Sequence, residues 1–483
     1  MNISRRDLLF ASTAGAALLA SCSTQPAAVE TASRPNIVYI ILDDLGMDLG
    51  CYGGTQIPTP NIDQLAREGM RFTEAYSGCT VCAPARSTLL TGTHMGHTPV
   101  RRNSGGVSLQ ADTFTVAQML EKAGYTCGGF GKWGVGDLDT AGVPERHGFS
   151  CFVGYYHQVH AHYFYPEYMI DTGKKVPLPE NQGVYGEKGQ RPAGPVTTAD
   201  AESGQNRTFT HYRILDEMKR FLRDNKDRPF FCYAPWTIPH GRFEIPESDP
   251  AWQQFKDKPW SMQARVYAAY VSLADRCVGE VLALLKELRI DDRTAIFFSS
   301  DNGAAAQYPG ELDSTGSFRG GKTSMYEGGI RIPFLARWPG RFKAGVTSDL
   351  PVYFPDFLPT AAAIAGVPPE VPQSLDGISI LPELTGEQKL PRERQMYWEW
   401  NKNHFDEYVV YMQACRHGNW KLVRNKPEDP WELYDLSADV SESNNLAAAQ
   451  PDRVKQMETW IAANRVDPPP QIEPEKPEGQ RWR

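Results

Sequence analysis

Long apolar stretches are missing from this 483-residue chain. The run nearest the N-terminus, Leu8 to Ala20, is too short to serve comfortably as a permanent membrane anchor. Clustered Lys and Arg are missing too. The formal net charge is −8 with no basic stripe, and phosphate backbones are bound through such stripes, so a nucleic-acid partner is not expected. The nine cysteines are scattered rather than set at disulfide or metal spacing, and a chain of this size does not need stapling. There is no internal repeat. What is present is the composition of an ordinary globular enzyme, 41% hydrophobic and 22% charged, with length for one large core and a smaller satellite.

The N-terminus reads as an address. Ser4-Arg5-Arg6-Asp7-Leu8-Leu9 resembles a twin-arginine export signal. Leu19-Ala20-Ser21-Cys22 resembles a bacterial lipobox, which implies a lipid on Cys22 and anchorage to a membrane. An ordinary secretory signal is the alternative, and either reading puts the mature protein outside the cytoplasm, in the periplasm or on a membrane. The expected organisation is therefore a signal over 1–22, a tether over 23–34, a catalytic domain over 35–385 and a C-terminal subdomain with an extended tail over 386–483.

Asn36 to Leu42 is a short, continuous, β-branched run that ends in Asp43-Asp44, as a buried parallel strand would. Phe230 to Tyr233 and Thr294 to Ser300 repeat the pattern, Ile330 to Ala336 is a further candidate strand, and Val266 to Leu288 has helical apolar spacing. This alternation predicts an α/β fold: a large, mostly parallel central sheet flanked by helices, with ligands at the carboxyl ends of strands. After Leu384 the short aromatic runs Gln395 to Trp400, Tyr408 to Cys415, Trp420 to Val423 and Trp431 to Leu436 predict a smaller antiparallel sheet, closed by a helix near Val454 to Ala463.

The chemistry is concentrated in a few motifs. In Cys82-Ala83-Pro84-Ala85-Arg86-Ser87-Thr88-Leu89-Leu90-Thr91-Gly92, Pro84 suits a helix's first turn and Gly92 its end, so Cys82 belongs at a helix N-terminus that favours anions. The pattern C-x-P-x-R-x4-T-G resembles the signature of the sulfatases, formylglycine-dependent members of the alkaline phosphatase superfamily. Asp43-Asp44, Gly131-Lys132-Trp133, Pro239-His240, Ser300-Asp301-Asn302-Gly303 and Gly320-Gly321-Lys322 follow in that family's order, from about Pro35 to Leu436.

The resemblance implies that Cys82 is oxidised to formylglycine by a formylglycine-generating enzyme. It implies that Asp43, Asp44, Asp301, Asn302 and an oxygen on residue 82 bind a divalent cation. An all-oxygen set suits Ca²⁺ better than Mg²⁺. No histidine set of the two-zinc phosphatase kind accompanies it. By the same resemblance Arg86 and Lys132 hold the hydrated aldehyde, Lys322 contacts the sulfate, His240 protonates the leaving alcohol, and Asp301 takes a proton from the hydrate, which attacks sulfur.

One position departs from the family. Where many sulfatases read Gly-Lys-Trp-His, this chain has Gly131-Lys132-Trp133-Gly134. The segment from Tyr155 to Tyr163, rich in histidine and aromatics, offers a replacement imidazole, with His162 favoured; water or Asp301 are the alternatives. The same rings suit stacking on a pyranose face, and His157 to Tyr165 resembles the corresponding segment of bacterial enzymes acting on galactose or N-acetylgalactosamine sulfates. Two further readings stay open: a phosphonate or phosphodiester hydrolase with the same site, and a non-catalytic binding lipoprotein in which Cys82 is never oxidised.

Overall fold

The computed structural model describes residues 34–469 apart from 105, 186–191, 198–205, 306–307, 309, 370 and 402–411. The signal and tether up to residue 33, part of the run Tyr408 to Cys415, and the end of the tail lie outside the described residues. From Arg34 the chain is one compact unit.

Its frame is a ten-stranded sheet. Five neighbouring strands run parallel in the order Thr294–Ser300, Asn36–Asp43, Phe230–Pro239, Thr126–Lys132 and Cys151–Tyr155. Antiparallel pairings flank them: Phe334–Arg337 on one side, Tyr168–Asp171 and Lys174–Pro177 on the other. The buried strand Asn36–Asp43 shows why continuous apolar runs were needed. Ile37, Tyr39 and Ile41 enter one core, with helices Cys82–Thr91, Val116–Lys122 and Phe357–Ala365. Val38, Ile40 and Leu42 enter the other, with helices Pro60–Arg67, Thr210–Asp224 and Met262–Glu287. Alternate side chains leave opposite faces of a strand, so a strand covered on both faces must be apolar throughout.

The C-terminal sheet is antiparallel, in the order Gln395–Trp400, Met412–His417, Trp420–Arg424 and Glu432–Asp435, and helix Pro451–Ala463 follows it. Two boundaries differ from the sequence reading. The strand read as Phe230 to Tyr233 runs on to Pro239, because its pairing with Asn36–Asp43 carries on through Ile41↔Pro235 to Asp43↔Pro239. Of Ile330 to Ala336, only Phe334 onward is strand, since Glu327–Ile330 forms a helical turn first.

Candidate active site

Parallel registration brings the motifs together. Leu42 lies opposite Ser300 and Asp43 opposite Pro239, so Asp43, Asp301 and His240 meet where three adjacent strands end. Lys132 ends the fourth strand. Its approach depends on Gly131, at φ 137°, where an added Cβ would stand 2.1 Å from the Pro235 carbonyl oxygen. Consecutive strand residues would point apart, yet Asp44 takes φ 66°, a left-handed conformation that turns its carboxylate toward the same site as Asp43. Strain of this kind is retained where surrounding contacts over-determine it.

Cys82 is the first residue of helix Cys82–Thr91, which Gly92 ends at φ 70°. Its Sγ lies 3.2 Å from Asp43 Oδ1 and 3.3 Å from Lys322 Nζ. Around it the charges interlock. Arg86 reaches Asp43 at 3.2 Å and Asp301 at 2.9 Å, and Lys132 Nζ reaches Asp43 at 2.7 Å. Lys322 Nζ grips both Asp44 oxygens, at 2.6 and 2.8 Å. Asp43, Arg86, Lys132 and Asp301 are fully buried, so each depends on its partners for the solvation it has lost.

The titration behaviour follows from this packing. Burial pushes Asp43 up, but Lys132, His240, Arg86 and Lys322 together hold it well below the usual carboxylate range. Burial and Asp43 push Asp301 up to about 6 and raise Asp44, against Arg86 and Lys322 respectively. Burial, then Asp301 and Asp43, push the Cys82 thiol far up, despite Lys132 and Lys322. A thiol so placed is a poor nucleophile, because the thiolate is the reactive form.

The buried carboxylates gathered here suit a divalent cation: Asp43 and Asp44 belong to one tight cluster, and Asp301, outside it, is joined to its edge through the Asp44 N–H. Donor atoms of Asp43, Asp44, Cys82 and His240 lie within 4.8 Å of one another. Asn302 Nδ2 donates to Asp44 Oδ1 at 2.7 Å, which leaves its buried Oδ1 without a protein partner among the described residues. That oxygen is the kind of neutral ligand a hard cation takes. Asp301 is tied by both oxygens, one to the Asp44 N–H at 3.2 Å and one to Arg86.

His240 donates its backbone N–H to Asp43 O at 3.1 Å, and its Nε2 lies 3.2 Å from Asp44 Oδ2. The ring is one wall of a cavity of about 270 Å³ shared with Asp44, Phe243, Gln263, Tyr267 and Tyr308. Burial and Lys322 hold its imidazole well below the usual histidine range, against Asp43. His162 stacks on it, with ring centroids 4.3 Å apart. The favoured histidine is therefore beside the site, whereas the side chain filling the space in front of Gly134 is Gln158. Sequence reasoning chose the right segment but passed over Gln158, because it looked there for an imidazole.

The expected sugar platform is not formed by the segment from Tyr155 to Tyr163 or by the two rings that follow it. Tyr155, Tyr156, Phe164 and Tyr165 are at most 1% exposed and are spent on the core. Tyr163 lies under the Arg242 guanidinium. The aromatic groups that face the cavity beside His240 are Phe243, Tyr267 and Tyr308, on three other segments.

This geometry agrees with known proteins. The family model described as Sulfatase matches residues 35–367, and one described as N-sulphoglucosamine sulphohydrolase, C-terminal, matches residues 317–465. The chain is 32% identical over 464 residues to arylsulfatase A of Homo sapiens, covering 87% of this chain and 85% of that one. It is 29% identical over 529 residues to N-acetylgalactosamine-6-O-sulfatase of Bacteroides thetaiotaomicron, covering 92% and 96%. The solved structure of Ps i-CgsB in complex with k-i-k-neocarrahexaose superposes with a TM-score of 0.74 at 26% identity, covering 89% of this chain and 94% of that one. With the signature helix, the paired carboxylates and the cations bound to them in one buried site, the chain belongs to the sulfatase family, whose members hydrolyse sulfate esters.

Proposed function

We propose that the substrate is a sulfated carbohydrate, with galactose or N-acetylgalactosamine sulfate favoured, and that Cys82 is oxidised to formylglycine before it acts. The observation that carries this reading is Cys82 itself, buried at a helix N-terminus between Asp43 and Lys322 with its thiol pushed far up. Left as a thiol it has little nucleophilic use; converted to an aldehyde, its hydrate would present oxygen to the same partners. The N-acetylgalactosamine-6-O-sulfatase relative supports the sugar class.

Ca²⁺ is the cation that Asp43, Asp44, Asp301 and Asn302 would hold, with an oxygen of the converted Cys82. Bound there, it would supply Lewis acidity toward oxygen. The side chains do the rest. Lys322, beside residue 82, meets the negative charge on the sulfate, and Arg86 and Lys132 fix the carboxylates beneath it. His240 faces the cavity where the sugar alcohol departs; neutral in the free protein, it takes up a proton as the anionic ester binds beside it and gives that proton to the departing oxygen. A formylglycine-generating enzyme is the partner for maturation. Twin-arginine export, which carries folded proteins, followed by lipid attachment at Cys22, would deliver the finished enzyme outside the cytoplasm.

The test is peptide mass spectrometry across residue 82 on protein from its own host, paired with sulfate release from a panel of sulfated sugars by wild type and Cys82→Ala. An aldehyde mass, with release lost in the variant, is the expected result. An unmodified thiol with no release by either form would sink the proposal and favour a binding lipoprotein.

A further inference from the structure

We propose that the Gln158 carboxamide, locked by Asn103, is the positioning group that accepts a hydrogen bond from the hydroxyl on residue 82 while sulfate is released. This rests on the reading of residue 82 given above. A Cβ added at Gly134 would stand 2.7 Å from Gln158 Oε1, 3.5 Å from Arg86 Cδ and 3.7 Å from Lys132 Cε. The space that a side chain at position 134 would enter is thus filled by Gln158, beside the stems of two cations that ring residue 82. Gln158 comes from the turn after strand Cys151–Tyr155 and is only 4% exposed.

The orientation of the amide is fixed by its partners. Asn103 Oδ1 accepts the backbone N–H of Ala83, the residue after Cys82, at 2.9 Å. The same oxygen accepts Gln158 Nε2 at 3.1 Å. A backbone N–H can only donate, so Asn103 must present oxygen to it, and Gln158 must then turn its NH₂ toward Asn103. Its carbonyl oxygen is left pointing away. That oxygen, Oε1, is buried and has no partner among the described residues, although buried acceptors are normally satisfied. It awaits a donor. Residue 82, one position from the anchoring Ala83 N–H, supplies one when it carries a hydroxyl.

The step balances without an added reagent. The hydroxyl O–H bond breaks and its electron pair becomes the second bond of the carbonyl; the bond from that carbon to the sulfate oxygen breaks, and its pair leaves with sulfate. The proton passes to water, because a carboxamide is too weakly basic to keep it. Gln158 therefore sets the direction of the O–H bond and does not act as the base.

Gln158→Leu and the unbranched Gln158→Met remove the acceptor while keeping most of the volume. Each is expected to lower kcat by roughly tenfold or more with little change in KM. Sulfate should then be retained on the residue-82 peptide, read by mass after quenching during turnover. Asn103→Asp, which keeps an oxygen for both donors, should retain far more activity than Asn103→Leu. Wild-type kcat and no sulfated peptide in both Gln158 variants would overturn the inference while leaving the sulfatase chemistry standing. An unmodified thiol in the wild-type peptide would instead remove the reading on which both rest.

Discussion

Replacing His240 with alanine should cost a great deal with a sugar sulfate and little with an aryl sulfate. The backbone of His240 is pinned by N–H donation to Thr237 O at 2.9 Å and Asp43 O at 3.1 Å. Its ring is braced by His162 and is 19% exposed, toward the cavity. A proton donor held this firmly contributes about 10²- to 10⁴-fold when the leaving group is a poor one, or about 3–5 kcal/mol of barrier. A sugar alkoxide needs that proton, whereas a nitrophenolate leaves with its charge intact, so the loss there should stay below roughly tenfold. The assay compares kcat/KM of wild type and His240→Ala on N-acetylgalactosamine 6-sulfate and on 4-nitrophenyl sulfate, with bound metal measured in both proteins. Equal losses on the two substrates would refute the proton-donor role. Equal losses together with a fall in bound metal would make His240 a ligand, since its ring nitrogen lies in the same 4.8 Å cluster as Asp43, Asp44 and Cys82.

Lys322→Met should lower kcat on every sulfate ester by roughly 10²- to 10³-fold, including the aryl sulfate that spares His240→Ala, because the charge on the transferring group is common to all. Stripping metal with a chelator should lower Tm, and Ca²⁺ should restore it at lower concentration than Mg²⁺; Asn302→Leu should raise the Ca²⁺ needed, as titration calorimetry would show. Lys421, buried between Glu327 at 2.9 Å and Glu442 at 2.8 Å, is a structural counter-charge, so Lys421→Met should destabilise the fold by about 3–5 kcal/mol in denaturant titration. Burial holds His94 down at about 4 against a usual 6.5, with Asp376 opposing, so the unfolded chain binds more protons in that window and stability should fall as pH drops through it; His94→Gln should flatten that part of the Tm-against-pH curve.

The parts of the molecule legible in the sequence are those written in one stretch of chain. Asn36 to Leu42 announces a doubly covered strand because both of its faces must be apolar, and Cys82 to Gly92 carries its own start and stop signals. Asp43, Asp44, Lys132, His240 and Asp301 could be named because each ends or follows a strand, and parallel strands bring such ends together; Arg86 is carried by the signature helix and Lys322 by a turn. The full length of Phe230–Pro239 was not legible, since prolines are ordinarily confined to edges or bulges, yet Pro235 and Pro239 both have partners in the neighbouring strand. The tyrosines near His162 were legible as aromatic but not as core, since burial depends on what packs over them. Gln158 and Asn103 are 55 residues apart, and nothing local to either announces the other.

The charge inventory gives the site its direction. Asp43, Asp44 and Asp301 are matched by Arg86, Lys132 and Lys322, so the protein alone is close to neutral at its centre. Burial, with repulsion from Asp43, still raises Asp44 and Asp301, so being taken out of water is costly for these two carboxylates even beside three cations. A divalent ion among them would relieve that cost and leave the centre with an excess of about two positive charges, which only an anion can answer. A sulfate monoester carries one negative charge, and sulfate, once free, carries two. The same excess that draws the substrate in would therefore hold the product harder, and expulsion of sulfate becomes the step most in need of help. In this chain that help comes from a neutral amide, because another cation or imidazolium at Gly134 would deepen the well from which sulfate has to escape.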